Sequence, residues 1–427
     1  MKVQKRENTT WTIVSFVIEI TYSLMWQKLL TYTSFMLLLA SCQSTSTSTS
    51  KESPPQGKYR AAIQLQGNEV PFFIQFEGEG ANLKAYILNS DERLETDVLI
   101  KEDSIIMDIN VFDASLRAKY TDTVLTGEWV KHYAKNYRAP FKAVPINGQQ
   151  RFELEGKPAY NFTGKWETYF SLGSGEPRPA VGNFRQEGNH ISGSFALASG
   201  DFRYLEGNVS DSTFYLSTFN GEEAKLFIGQ LNGSGELIGK YLNGLTGNYS
   251  FTAKPNENFR LASKERKVST QTINFSFPDL QGNIVSLSDP RFKGKPLIVQ
   301  IFGSWCPSCM DETKYLGQWY NDNKERIEIV ALAFEKKDDF QYAKTRVEKS
   351  KNRLNADYTF LIAGHEKDVS KAFPTIDGPI YFPTTLYIDK NGQLRKVHSG
   401  FNGPSTGPLF EQWKADHQAI VEELVKE

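Results

Sequence analysis

At 427 residues the chain is longer than one hydrophobic core usually organises, so two or three domains are expected. Its 39% hydrophobic, 23% charged and 13% aromatic content excludes a disordered chain and a bundle of membrane spans. With 49 basic against 50 acidic residues the net charge is -1, which leaves no electrostatic footprint for nucleic acid. Three cysteines, Cys42, Cys306 and Cys309, sit in contexts too different to staple a small disulfide scaffold.

The first element is a run from Lys28 to Cys42, with a basic residue, then Leu37-Leu38-Leu39, then the small residues Ala40 and Ser41. Leu39-Ala40-Ser41-Cys42 resembles the lipobox of a bacterial lipoprotein signal. The resemblance implies that residues 1–41 are removed, that the Cys42 sulfur is lipidated, and that Cys42 is the mature N-terminus. Met25 would then serve as the true start, because residues 25–42 have the length and order of a signal peptide. A transmembrane anchor over residues 11–39 is the competing reading, but Glu19, Gln27 and Lys28 interrupt it and no span of about 20 apolar residues remains.

Residues 42–56, with their Ser-Thr alternation and Pro54-Pro55, read as a flexible tether. From residue 57 the pattern becomes short runs of alternating apolar and polar residues broken by Gly and Asn, which is antiparallel β. The pattern repeats, since Gly57-Lys58-Tyr59 returns as Gly164-Lys165-Trp166, and Arg138 to Pro145 is paralleled by Asn248 to Pro255. Two copies of one all-β module follow, over residues 57–145 and 146–255. Neither carries a catalytic constellation: His132 and His190 stand apart without a ligand cluster, and the alternating Tyr and Trp residues read as core. A polar linker over residues 256–269 leads to a last domain, residues 270–427, where strands alternate with helices in an α/β arrangement.

In that domain residues 296–302 form a short apolar strand and residues 307–324 a helix with Pro307 in its first turn, where a missing N–H is harmless. Cys306 therefore lies at a strand-to-helix corner, where free N–H groups and the positive dipole end favour thiolate. Cys309 is one turn on, close enough to form a disulfide. An exposed Cys306 would attack a substrate disulfide and a more buried Cys309 would resolve the mixed disulfide, without a cofactor. Zinc uses the same spacing but needs two more ligands, and His365, His398 and His417 are scattered, so no metal is expected. Copper held by the dithiol and one histidine, such as His398, is the minority alternative. Downstream, residues 326–334 read as a buried strand, 338–350 as an amphipathic helix and 411–426 as a closing helix. The loop 398–407 either covers the active site or caps that helix.

Phe302-Gly303-Ser304-Trp305-Cys306-Pro307-Ser308-Cys309-Met310-Asp311-Glu312 resembles the active-site stretch of the TlpA-like thiol-disulfide oxidoreductases. Phe277 to Leu287 is similar to that family's opening hairpin, and Phe382-Pro383-Thr384-Thr385-Leu386 to its cis-proline strand, so the likeness covers residues 275–427. It implies a thioredoxin-like α/β fold and a cis Phe382-Pro383 peptide opposite Cys306, with Trp305, Phe382 and Thr384 contacting substrate. It also implies that Glu312 handles a proton beside Cys309. Gln300 stands where thioredoxins carry a buried aspartate, which leaves that task to Glu312. The Pro-x-x-x-Thr-x-x-Cys loop of peroxiredoxins is missing, with Val299 and Gly303 at the Pro and Thr positions.

The expectation is a thiol-disulfide reductase working through Cys306 and Cys309 on disulfide-containing proteins in the cell envelope. It would sit on the periplasmic face of a membrane, held by lipid at Cys42 and re-reduced by a membrane electron donor. A peroxidase, a copper-handling dithiol protein and a non-enzymatic partner-binding lipoprotein are the alternatives.

Overall fold

The structure is a computed structural model that describes residues 54–121, 123–173, 175–261 and 272–427. Cys42, the signal segment, most of the tether and residues 262–269 of the linker lie outside the described residues.

The alternation of residues 57–145 builds an eight-stranded closed barrel in which each strand pairs antiparallel with its sequence neighbour. The ring closes where Gly57–Leu65 meets Arg138–Pro145, Tyr59 opposite Pro145 and Ile63 opposite Phe141. Every second residue turns inward, so Val70, Phe72, Ile74 and Phe76 fill the interior together with Ile105, Met107 and Trp129. Residues 164–255 form a nine-stranded sheet that also closes, because Arg178–Glu187 pairs with both Gly164–Ser171 and His190–Leu197. Its interior is aromatic, with Phe170, Phe195, Phe227 and Phe251 packed together, Tyr241 against Phe170 and Phe227, and Trp166 in the same cluster beside Phe162.

Residues 272–427 form a five-stranded sheet flanked by helices. The central strand Leu297–Phe302, all six residues buried, pairs parallel with Glu328–Glu335 and antiparallel with Thr384–Ile388. Its alternation sends Val299 and Ile301 to one face, and Ile298, Gln300 and Phe302 to the other. Helix Pro307–Asn323 begins five residues after the strand ends. Helix edges differ from the sequence reading for local reasons. The next helix, read over 338–350, is capped by Asp339, which accepts from Tyr342 N at 2.7 Å, so it runs Phe340–Leu354 and stops at a left-handed Asn355. The last helix starts at Pro408, a favoured first position, and runs to Lys426.

The three units share one core cluster, with Phe72 of the first barrel 4.4 Å from Phe219 of the second. Helix Phe340–Leu354 is fastened to the first barrel through Arg346, which donates to the carbonyl of Val111 at 3.0 Å, and through Arg353, which donates to that of Glu95 at 2.6 Å. The central fastening is Arg203. In the second barrel the chain leaves His190–Leu197, turns at Ala198–Ser199, pairs briefly over Gly200–Asp201, and bulges before Leu205. At that bulge Arg203 takes a left-handed backbone conformation, φ 58°, with its N–H held by Asp201 Oδ1. Its buried guanidinium bridges Glu92 of the first barrel, Asp311 of helix Pro307–Asn323, and the Pro307 carbonyl at 2.8 Å.

Arg203→Ala leaves the Glu92, Asp201 and Asp311 carboxylates buried without their shared cation, which is expected to cost about 3–5 kcal/mol. Urea unfolding of the two chains measures this, and a loss under about 1 kcal/mol, the range of an exposed ion pair, would rule out the clamp.

Candidate active site

The turn that carries the cysteines is anchored before it begins. Ser304 donates through its N–H and its hydroxyl to the two oxygens of Glu335, both at 2.8 Å, and burial pushes the Glu335 carboxyl up from its ordinary value. Trp305 folds back so that its Nε1 donates to the Phe334 carbonyl at 2.9 Å. Gly303 makes room for that indole, because a Cβ there would lie 2.2 Å from Trp305 Nε1. Lys336 Nζ sits 3.8 Å from the centroid of the Trp305 ring, whose other neighbour is Phe382 at 5.0 Å.

Cys306 is the N-cap of helix Pro307–Asn323, and its sulfur accepts from Cys309 N at 3.2 Å. The two cysteines form a disulfide, their Cα atoms 5.2 Å apart. Cys309 is fully buried, but Cys306 is buried too, at 4% exposure, against the expectation of an exposed nucleophile. The second barrel packs on this corner: Arg203 donates to Pro307 O, and a Cβ on Gly200 would stand 3.3 Å from Ser308 Oγ. Both residues between the cysteines are therefore touched from that barrel.

Glu312 lies one turn after Cys309 on the same helix face and is fully buried. It accepts from Thr385 Oγ1 and from Gln300 Nε2, each at 2.7 Å, while Gln300 Oε1 accepts from Thr313 Oγ1 at 3.1 Å and Tyr358 OH at 3.2 Å. Burial pushes its carboxyl up to about 7, the two hydrogen bonds pulling the other way. A carboxyl that titrates near neutrality suits proton exchange. Gln300, in the aspartate position, thus serves as a donor that orients Glu312.

The Phe382–Pro383 peptide is cis, and Pro383 is buried. Pro383 O accepts from Gly400 N at 2.8 Å, which ties the loop 398–407 to the proline. Gly400 has φ 82° and packs so closely on the second barrel that a Cβ would come 2.5 Å from Ser199 C. Gly403 N donates to Asp201 of the same turn. The loop therefore joins the proline strand to the second barrel, where sequence left its role open. Thr384, expected to touch substrate, is fully buried and donates to the Tyr381 carbonyl at 2.8 Å. His398 pairs with Thr385 across the sheet. Among the described residues no three His, Cys, Asp or Glu side chains group to hold a metal ion. Sequence reasoning missed Arg203, Glu335 and Lys336, which carry no motif, and gave no role to Asp311, which lies within one; all four matter through what they meet.

Residues 267–411 match the Redoxin family. The thiol-disulfide oxidoreductase ResA of Geobacillus thermodenitrificans is 30% identical over 134 residues, 31% of this chain and 70% of that protein. ResA of Bacillus cereus is 31% identical over 155 residues, 35% of this chain and 80% of that protein. The chain belongs to the ResA-like thiol-disulfide oxidoreductases. A solved structure described as a putative thiol:disulfide interchange protein DsbE from Chlorobium tepidum is 22% identical, covering 35% of this chain and 98% of its own, with TM-score 0.28. The Redoxin match and the ResA relatives make the C-terminal region of this oxidoreductase a thioredoxin-like domain with thiol-disulfide redox chemistry. Among the described residues no helix is long and apolar enough to cross a membrane.

Proposed function

We propose that the chain is a reductase of protein disulfides in the cell envelope, with Cys306 as nucleophile, Cys309 as resolving thiol and Glu312 as the group that takes the Cys309 proton. The observation that carries this reading is the Cys306–Cys309 disulfide at a helix N-terminus, with a carboxyl of pKa about 7 one turn below it. In the reduced chain the Cys306 thiolate attacks one sulfur of a substrate disulfide. That S–S bond breaks, a Cys306–substrate bond forms, and the other substrate sulfur leaves as thiolate. Cys309 passes its proton to Glu312 and attacks Cys306 Sγ, releasing the second substrate thiolate and closing the Cys306–Cys309 bond. Two electrons pass to the substrate, and an external donor must return two to the chain.

Trp305 and Phe382 are the substrate-facing residues in this reading, with Pro383 shaping the wall opposite Cys306. The lipobox reading of Cys42 supports a lipid-anchored location on the periplasmic face of a membrane, with a membrane donor for re-reduction. The assay is a single turnover of pre-reduced chain with dithiobis-nitrobenzoate, parent against Cys306→Ser, and equal rates would remove the redox assignment. Direction is set by equilibrating the pair against a glutathione buffer: a potential as oxidising as that of a dedicated disulfide donor would overturn the reductase reading.

A further inference from the structure

Each cysteine has a buried acid close by. Glu312 stands one turn after Cys309, and Glu335 approaches the other cysteine from the neighbouring strand. Glu335 closes the strand Glu328–Glu335, is fully buried, and directs both oxygens at Ser304, taking the N–H at Oε1 and the hydroxyl at Oε2. Ser304 is the first central residue of the turn Gly303–Cys306, which closes where Cys306 N donates to the Gly303 carbonyl at 3.0 Å. The acid is thus bound into the same turn that carries the nucleophile.

Holding a turn does not call for an acid. A Gln in that place would accept from the Ser304 N–H through Oε1 and donate to the Ser304 hydroxyl through Nε2, making the same two bonds. What the carboxyl adds is charge, and burying charge is costly. The groups that face it temper that charge, yet each is engaged elsewhere. Arg346 and Lys336 act on it as cations, Tyr342 lies in its field, and His365 is its register partner across the sheet. Lys336 pairs with Glu366 at 2.6 Å, Tyr342 donates to Asp113 at 3.0 Å, and Arg346 donates to the Asn110 and Val111 carbonyls of the first barrel. On the helix side of Cys306 the charged groups are Glu312 and the Asp311–Arg203 pair.

We propose that Glu335 is a positioning residue for the nucleophile: it fixes the Gly303–Cys306 turn through Ser304 and, as an anion, opposes ionisation of the Cys306 thiol. The helix N-terminus pulls the other way and favours the thiolate. The balance matters to a reductase, because a less stabilised thiolate is the stronger nucleophile and belongs to a pair that gives up its electrons more readily. The purpose assigned to Glu335 rests on the redox reading above, and it adds no step to the exchange already written. Glu312 and Glu335 then divide the work, one taking the Cys309 proton and the other setting where Cys306 loses its own.

Reduced full-length chain is alkylated with iodoacetamide across a pH series, the adduct on Cys306 is followed by mass spectrometry, and the rate profile gives the Cys306 titration. Glu335→Gln, which can keep both bonds to Ser304 and lacks the charge, is expected to move the midpoint down and raise the rate on its acid side by roughly three- to tenfold. Ser304→Ala leaves the carboxylate one donor short and favours its protonated form, so it is expected to shift the midpoint the same way by less. Glu335→Asp, which keeps the charge, is expected to hold the parent's midpoint. A midpoint unmoved by both Glu335→Gln and Ser304→Ala, in chains whose urea curves show them folded, overturns the proposal and leaves Glu335 a structural tie. An equal shift in Glu335→Asp overturns it too, by tracing the effect to a disturbed turn. A parent chain that is alkylated at Cys306 but inert toward dithiobis-nitrobenzoate removes the redox reading, and with it the purpose given to Glu335, whatever the midpoints do.

Discussion

A Cys306→Ser chain is expected to lose disulfide reduction by at least about 10⁴-fold, because a hydroxyl in that place offers neither a thiolate nor a sulfur that can be exchanged. Cys309→Ser has the opposite signature. Cys306 still attacks, but the group meant to release the substrate is gone, so the mixed disulfide accumulates. Its single-turnover burst with dithiobis-nitrobenzoate should release one thionitrobenzoate per chain where the parent releases two, and intact-mass spectrometry should find the other still attached to Cys306. The asymmetry follows from the structure: Cys306 is the helix N-cap with Cys309 N directed at its sulfur, while Cys309 lies fully buried inside the first turn. Adducts found equally on Cys309 in a Cys306→Ser chain would reverse the two roles. Because the parent's Cys306 is itself only 4% exposed, iodoacetamide should modify it slowly after reduction and faster once Arg203→Ala has released the second barrel.

What could be read from the sequence was local or periodic. The Cys306–Cys309 spacing, Pro307 at the first helical position and the Phe382–Pro383 pair are each fixed by a few adjacent residues, and the barrel strands by a period of two. Glu312 was legible because it sits one helical turn from Cys309 and Gln300 fills a recognisable strand position. Arg203 was not. Its partners Glu92 and Asp311 lie more than a hundred residues away on either side, and nothing near Arg203 in sequence separates it from a solvated surface arginine. The second barrel's contact with this corner escaped for the same reason, since it comes from the turn at Ala198–Asp201 and from Arg203, far from the cysteines in sequence. The loop 398–407 reads as a run of turn residues until Gly400 and Gly403 are seen against Ser199 and Asp201. The inward direction of the Thr384 hydroxyl, which donates to Tyr381 O, also had no local signal.

Glu312→Gln is expected to change both stability and rate in a way that depends on pH. The Glu312 carboxyl titrates near 7 in the folded chain against an ordinary 4.5, so between those values the unfolded chain has lost a proton that the folded chain still holds. Where the folded state binds more protons, stability falls as pH rises. The contribution is complete below about pH 4.5 and is lost as pH climbs through about 7, at about 1.4 kcal/mol per unit, about 3.5 kcal/mol in all. Gln has no proton to lose and can still accept from Gln300 while donating to Thr385 Oγ1. The unfolding free energy of the variant, from urea titration, should therefore rise relative to the parent's from pH 4 to pH 8 by about that amount. Parallel curves would mean that Glu312 is ionised throughout. In the same variant, release of thionitrobenzoate from the mixed disulfide should slow by roughly 10²-fold and lose its inflection near pH 7, while the first attack by Cys306 keeps its rate. A purely structural Glu312 would alter the stability curve and leave that inflection in place, so the two measurements separate a buried acid that only costs stability from one that moves the Cys309 proton.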